Sequence, residues 1–119
     1  MFLPVQKAAI AALTGPLDSV KRQCGEYQAR RDALCGGLRS IGWYVPDAQG
    51  TMFVWAKVPQ GYASSAEFAL ELLEKTGVIV VPGSAFGKHG EGYVRMALVV
   101  PPERMQEAVR RIGESGMIH

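Results

Sequence analysis

Residues 78–98 read VIVVPGSAFGKHGEGYVRMAL: a short apolar run, a glycine-rich loop, and a second apolar run that contains Arg95. A guanidinium keeps its proton in proteins, so a partly buried arginine requires an anion. Three interpretations are open at this point. Arg95 pairs with Glu91 in the preceding loop, or lies at a strand edge, or holds a ligand carboxylate through its forked pair of donors.

The two apolar runs predict strands at residues 78–81 and 93–99. Successive side chains of a strand point to opposite faces, so the second run divides into two sets of residues. One set comprises Tyr93, Arg95 and Ala97, and the other comprises Val94, Met96 and Leu98. The second set is expected to pack on helices, which leaves Arg95 on an open face of the sheet.

Four helices are predicted around these strands, together with further extended segments. The predicted helices cover residues 5–13, 16 or 17 to about 40, 64–76, and the segment after Pro101 and Pro102. Ser64 and Glu67 form a capping box at the start of the third helix. Residues 43–45 and 52–58 are expected to be extended. The pattern predicts an α/β (α+β) two-layer sandwich, in which helices pack on a small sheet of three to four strands.

The second helix carries a predicted buried stripe at alternating four- and three-residue steps. Its members are Val20, Cys24, Tyr27, Arg31, Leu34, Leu38 and Ile41. Cys24 and Cys35 are eleven residues apart, about 16 Å along a helix, which is too far for a disulfide. They are therefore expected to be buried thiols of a reducing compartment, here the cytoplasm. The neighbouring Arg30, Arg31 and Asp32 are expected to form a solvated helix face.

Composition excludes several classes of protein. The chain has 119 residues, 48% of them hydrophobic and 20% charged, and a net charge of +2, which indicates one ordinary globular domain with no nucleic-acid partner. No apolar run approaches the ~18 residues of a membrane span, so no membrane partner is expected. The N-terminus lacks the order of a signal peptide. With only His89 and His119 beside the two cysteines, no metal site is expected.

The sequence VPGSAFG (81–87) followed by GEGYVRMAL (90–98) resembles the C-terminal domain of fold-type I, pyridoxal-phosphate-dependent aminotransferases of classes I and II. The segments FLPVQKAAIAAL (2–13) and GTMFVW (50–55), and residues 27–43, are similar to the same family in the same order. The resemblance implies that Arg95 grips the α-carboxylate of an amino-acid substrate and that Phe53 lines the side-chain pocket.

The loop supplies two further candidate substrate-binding residues. Phe86 is expected to fold back as an apolar wall, and Ser84 either donates to substrate or caps a turn. The spacing of Gly83, Gly87, Gly90 and Gly92 fits neither the phosphate-loop nor the dinucleotide pattern, so tight turns near a ligand are the preferred interpretation.

The resemblance implies pyridoxal phosphate as cofactor, amino-acid and 2-oxo-acid substrates, and a homodimer. The family's cofactor lysine, in a Ser-x-Ser-Lys type of segment, has no counterpart among the lysines of this chain, and Lys88 is the only one worth considering. Residues 1–15 are therefore expected to be a helical arm leading from a missing large domain, and residues 16–119 to be the small domain. No catalytic or cofactor-binding residue is expected, and the chain alone is not expected to transaminate.

Two alternatives remain open. The chain could be a stand-alone ligand-binding or oligomerisation module, although Phe2, Leu3, Val5 and Ile10 look like an arm made to lie against something else. It could also be part of a pyridoxal-phosphate-dependent carbon–sulfur lyase, which shares this architecture. Within the aminotransferases, the matches lean toward the aspartate, alanine or diaminopimelate branches.

Overall fold

The computed structural model describes residues 1–118; His119, one of the two histidines considered for metal binding, lies outside them. Four α-helices and three strands follow one another along the chain. They are α1 (Leu3–Thr14), α2 (Asp18–Ser40), β1 (Phe53–Lys57), α3 (Ser65–Thr76), β2 (Val81–Pro82), β3 (Tyr93–Ala97) and α4 (Pro102–Glu114). Two 3-10 turns, Gly83–Phe86 and Lys88–Gly90, separate β2 from β3. These elements confirm the predicted α+β class with a small sheet.

The sheet is antiparallel and has the order β1-β3-β2, so β3 is the central strand. Its two faces differ sharply. On one face Val54, Ala56, Val94 and Met96 are buried and join the hydrophobic core formed with α2, α3 and α4. Within residues 1–118 no helix covers the opposite face, whose side chains are half-buried or exposed. The molecule is therefore a two-layer sandwich with one open sheet face, as the alternation in β3 predicts.

The N-terminal cap of helix α3 includes Ala63 in addition to the predicted Ser64 and Glu67. Ser64 Oγ accepts a hydrogen bond from the Glu67 backbone N–H at 3.1 Å, as expected. The Glu67 carboxylate, however, accepts from the Ala63 N–H at 3.1 Å and not from Ser64. The helix ends at Gly77, whose φ of 73° suits a residue without a β-carbon.

Neither of two predicted extended segments pairs over its full length, although each contributes buried apolar residues to the core. In residues 78–81 only Val81 joins β2, while Val80 is buried in the core. In residues 43–45 no strand forms, yet Trp43 and Val45 are buried, and Trp43 Nε1 donates to the Lys57 carbonyl at 2.9 Å. A short apolar run does not by itself distinguish a paired strand from buried irregular chain.

The second half of α2 supplies the buried residues of this helix, and Tyr27 of the first half packs against the core while only partly buried. Leu34, Cys35 and Leu38 are buried, but Val20 and Cys24 are exposed, so the predicted burial of Cys24 is wrong. The predicted stripe extends over a part of α2 that no other element of residues 1–118 covers. Both thiols are free, as their spacing requires.

Arg30 and Arg31 of α2 are tethered to the rest of the domain and do not form a purely solvated face. Arg30 donates to the Leu98 carbonyl at 3.0 Å, and Arg31 donates to the Ala48 carbonyl at 3.3 Å and to Asp32 at 2.9 Å. These bonds tie α2 to the end of β3 and to the loop before β1. Both strands that carry the candidate site are thereby held against one helix.

Candidate functional site

Arg95 lies in the middle of the central strand and points to the open face of the sheet. The register places Trp55 of β1 directly opposite it on one side and Val81 of β2 on the other. Arg95 is half-buried, whereas its neighbours Val94 and Met96 are in the core. The interpretation of Arg95 as a strand-edge residue is therefore wrong, because β3 is paired on both sides.

Aromatic rings surround the guanidinium of Arg95. Its Cζ lies 4.2 Å from the centroid of the Phe53 ring and 4.7 Å from that of Phe86. Trp55 stacks on Tyr93 with centroids 5.5 Å apart and meets Phe86 edge-on at 6.0 Å. Aromatic faces attract a cation, so these rings hold the guanidinium without consuming its N–H donors.

Glu91 does not pair with Arg95. Its Oε1 accepts from the Ser65 backbone N–H at 2.6 Å and its Oε2 from the Ser65 hydroxyl at 3.2 Å. The bond from the Ser65 backbone is the main reason that the pKa of Glu91 lies below its usual range, despite an opposing effect of burial. Among residues 1–118, no carboxylate oxygen lies within 4.0 Å of the Arg95 guanidinium. Of the three interpretations, a ligand carboxylate is the one that this geometry favours.

The loop that carries Phe86 is closed at its base by two glycines. A β-carbon on Gly83 would lie 1.9 Å from the Gly90 carbonyl oxygen, and one on Gly90 would lie 2.1 Å from the Gly83 carbonyl oxygen. Neither position tolerates a side chain without moving the backbone. These two glycines are thus explained by contact within the loop and need no phosphate.

Ser84 faces α3 within this loop. Its hydroxyl lies 3.5 Å from Ser65 Oγ, and its backbone N–H donates to the same oxygen at 3.5 Å. Lys88 and His89 are exposed in the second 3-10 turn. Phe53 and Phe86 are thus brought to Arg95, while the hydroxyl of Ser84 is engaged beside Ser65.

The turn before β1 is strained. Thr51 is the only residue other than glycine within residues 1–118 that has a positive φ, 64°. For a β-branched residue this is an unfavourable conformation. Its hydroxyl accepts from the Phe53 N–H at 3.1 Å, which compensates locally and fixes the start of the strand that carries Phe53 and Trp55. Strain of this kind gathers at functional sites.

Sequence reasoning missed Trp55 and Ser65 as parts of this site. Trp55 has a signal in the sequence, since it alternates with Phe53 along β1 and must share its face. That signal becomes useful only once the register across from Arg95 is known. Ser65 has no such signal, because its bonds to Glu91 and Ser84 join positions 26 and 19 residues away.

A separate cleft of about 520 Å³ lies between α2 and residues 48–52. Its lining is mostly apolar, with Tyr27, Met52 and Leu98 among the contributors. The one guanidinium there, of Arg31, is already bound to Asp32 and to the Ala48 carbonyl. A carboxylate ligand therefore has a better-prepared partner in Arg95.

The lysines of this chain are all on its surface. Lys7, Lys21, Lys57, Lys75 and Lys88 are all exposed, and Lys75 is paired with Glu71. An amine that forms an imine at neutral pH is normally desolvated or lies next to another cation.

Within residues 1–118, no group of three or more His, Cys, Asp or Glu side chains is placed to hold a metal ion. None of the helices described combines the length and the apolar character needed to cross a bilayer.

Comparison with known proteins gives one consistent result. Residues 2–112 match the model of the family described as aminotransferase class I and II. The LL-diaminopimelate aminotransferase of Halothermothrix orenii is 48% identical over 115 residues, which are 97% of this chain and 29% of that protein. The enzyme of the same name from Moorella thermoacetica is 50% identical over 93% of this chain and 28% of its own length.

Solved structures agree. The substrate-bound structure of BacF from Bacillus subtilis superimposes with a TM-score of 0.86 at 34% identity, covering 98% of this chain and 30% of that one. Alanine aminotransferase from Pyrococcus furiosus gives a TM-score of 0.84 at 34% identity over 93% of this chain and 29% of its own. The chain thus spans less than a third of the length of the relatives that it matches.

Proposed function

This chain belongs to the aminotransferase class I and II family, and from that premise we propose that it is the C-terminal, substrate-binding portion of a pyridoxal-phosphate-dependent aminotransferase. One observation carries the proposal. Arg95 stands on the open sheet face with two aromatic rings against its guanidinium and, among residues 1–118, no carboxylate in reach. Its donors are free for the α-carboxylate of an amino acid.

In this proposal Arg95 binds and orients the substrate. A forked guanidinium fixes a carboxylate in both direction and rotation, which is how such a contact lowers the cost of reaching a reactive geometry. Phe53 and Phe86 exclude water from the ion pair and so strengthen it. Phe53 also lines the pocket for the substrate side chain. Pyridoxal phosphate, when bound, supplies the electron sink for amino-group transfer.

We propose LL-diaminopimelate as the amino donor and a 2-oxo acid as the acceptor. The support is the name shared by the two relatives that are 48% and 50% identical to this chain. These names favour the diaminopimelate branch over the aspartate and alanine branches. They also favour transamination over a carbon–sulfur lyase reaction.

We further propose that the cofactor lysine lies in a part of the enzyme outside this chain, and that the whole enzyme is a cytoplasmic homodimer. The exposure of all five lysines supports the first point. The exposed apolar side chains of Phe2, which precedes α1, and of Leu3 and Ile10 within it support the presence of a large domain or a second subunit against that helix. The chain by itself would then lack the means to transaminate.

The first prediction tests Arg95 in a chimera. Residues 2–112 replace the corresponding segment of the Moorella thermoacetica enzyme, and kcat and KM for LL-diaminopimelate are measured with and without Arg95→Lys or Arg95→Ala. Loss of two charge-assisted hydrogen bonds costs about 3 kcal/mol, so kcat/KM should fall on the order of 100-fold. Lysine should not rescue it, because one ammonium does not reproduce the fork.

The matched control is Arg104→Ala, which removes an exposed arginine of α4 away from the open face. It should leave kcat/KM unchanged. Cofactor affinity, read from the visible absorbance, should be the same in all variants. Equal losses in substrate and cofactor affinity, or an Arg95→Ala chimera as active as its parent, would show that Arg95 does not hold the substrate carboxylate.

A further inference from the structure

We propose that Glu91 is a positioning residue that fastens the loop of residues 83–92 to the start of α3 and thereby holds Phe86 against Arg95. The inference deepens the proposed function and rests on it for the meaning of the Arg95 site. The loop itself, its fastening and the position of Phe86 are properties of this chain alone, so they can be tested separately.

Glu91 binds the first turn of α3 through both carboxylate oxygens. The Ser65 N–H is one of the helix N-terminal donors that lack an intrahelical acceptor, and Glu91 Oε1 accepts from it at 2.6 Å. Glu91 Oε2 accepts from the Ser65 hydroxyl at 3.2 Å, and Ser65 is fully buried. A carboxylate at this end of a helix also interacts favourably with the helix dipole.

The same Ser65 hydroxyl contacts the other end of the loop. It lies 3.5 Å from both the hydroxyl and the backbone nitrogen of Ser84. Gly83 and Gly90, which directly precede Ser84 and Glu91 in sequence, bring their backbones into close contact. Two independent contacts therefore close the base of the loop, with Phe86 between them.

Phe86 needs this fastening because its own burial is too small to fix it. Phe86 is 52% exposed, and its ring meets the Trp55 ring edge-on at 6.0 Å and lies 4.7 Å from the Arg95 guanidinium. An exposed ring with few neighbours keeps most of its freedom unless its backbone is held. The position of the ring over Arg95 is thus set from the base of the loop.

The anchoring of Glu91 also keeps Arg95 available. Glu91 precedes Arg95 by four residues and is the acidic side chain next to it in sequence. If it were released from Ser65, its carboxylate would compete with a substrate carboxylate for the same guanidinium. The bond to Ser65 therefore both positions Phe86 and removes an internal competitor.

The test is made on the full chain by NMR. Arg95 δ protons should be shifted upfield by the ring currents of Phe53 and Phe86, whose centroids lie 4.2 Å and 4.7 Å from Arg95 Cζ, and Phe86→Leu gives the reference without the second ring. We expect Glu91→Ala to move these resonances to the Phe86→Leu position. Glu91→Gln, which keeps an oxygen able to accept from the Ser65 N–H, should restore part of the shift. Glu74→Ala, which removes an exposed carboxylate from α3, should leave them unchanged.

Thermal unfolding of each variant separates positioning from stability. If Glu91→Ala lowers the melting temperature while the Arg95 resonances stay at their native shifts, the proposal is overturned and Glu91 is merely stabilising. If Glu91→Ala does not fold, Glu91→Asp decides in the same way, since its shorter side chain withdraws the carboxylate from both the N–H and the hydroxyl of Ser65. No turnover is measured, so this result can fail while the Arg95 chimera succeeds, and the reverse.

Discussion

At the scale of single residues, the site is a cation held by aromatic rings in place of an acid. A cation over an aromatic face gains about 0.5–2 kcal/mol, whereas a buried guanidinium left without any hydrogen-bond partner costs several kcal/mol. Arg95 avoids the full cost because it is only half-buried, on the open side of the sheet. Its rings and its exposure together leave N–H donors that a carboxylate can still reach.

Glu91 gives this part of the molecule a predicted sensitivity to acid. Hydrogen bonds, first from the Ser65 backbone, hold the pKa of Glu91 below its usual 4.5. A carboxylate with a lowered folded-state pKa contributes stability above its unfolded pKa and loses that contribution as the pH falls through the folded value. We expect the difference in unfolding free energy between the native chain and Glu91→Gln to be largest at neutral pH and to shrink in acid.

Urea unfolding at a series of pH values from neutral down to about 3 measures this difference. Glu74→Gln is the matched control, since Glu74 is exposed on α3. Its difference from the native chain should stay flat over the series. A difference for Glu91→Gln that is constant, or that widens in acid, would contradict the role of the ionised carboxylate.

At the scale of elements, replacing either of two adjacent glycines of α2 with alanine should change the free energy of unfolding in opposite directions. A β-carbon on Gly36 meets nothing within 4 Å, whereas one on Gly37 would lie 2.8 Å from Val109 Cγ2 of α4. Gly36→Ala should raise the free energy of unfolding by about 0.5–1 kcal/mol, because alanine is the better helix former. Gly37→Ala should lower it by about 1–3 kcal/mol, because a stiff valine must move.

Urea unfolding of the two single variants checks the signs. The double variant Gly37→Ala/Val109→Ala removes the methyl groups that clash and should recover part of the loss relative to the sum of its single changes. Equal effects at positions 36 and 37 would mean that α2 and α4 do not cross as closely as 2.8 Å implies at Gly37.

The elements also show how far the sequence carries. The alternation through Arg95 correctly predicts which face of β3 is open, because burial on one side imposes a period of two. The Ser64 cap is correct because its partner lies only three residues away. Trp55 beside Arg95 and Ser65 beneath Glu91 were missed, because each depends on a contact made across the fold. Sequence patterns predict contacts between residues that are close in sequence, whereas this site is built from residues that are far apart in sequence.

At the scale of the whole molecule, the chain has an elongated shape. Its radius of gyration is 17.2 Å and its extents are 52 × 31 × 22 Å, whereas a compact domain of 100 residues has a radius of about 13 Å. Helix α1 has no buried residue, and Leu17 and Val20 continue the exposed apolar surface into the start of α2. No element of residues 1–118 covers these exposed apolar side chains.

The last prediction follows from this exposed helix. Leu3, Ile10 and Leu13 are 59%, 62% and 83% exposed, so replacing all three with glutamine should not lower the melting temperature of the core. The native chain should associate with rising concentration, because a large exposed apolar patch promotes self-association, and the triple variant should not. Sedimentation velocity over a concentration series measures this. The control replaces Leu70 of α3 together with Ile79 and Val99, which lie in connecting segments and are similarly exposed, and should associate like the native chain. If the α1 variant still associates, or melts at a clearly lower temperature, then α1 does not provide the self-association surface of this chain, and the proposal that α1 packs against a partner is wrong.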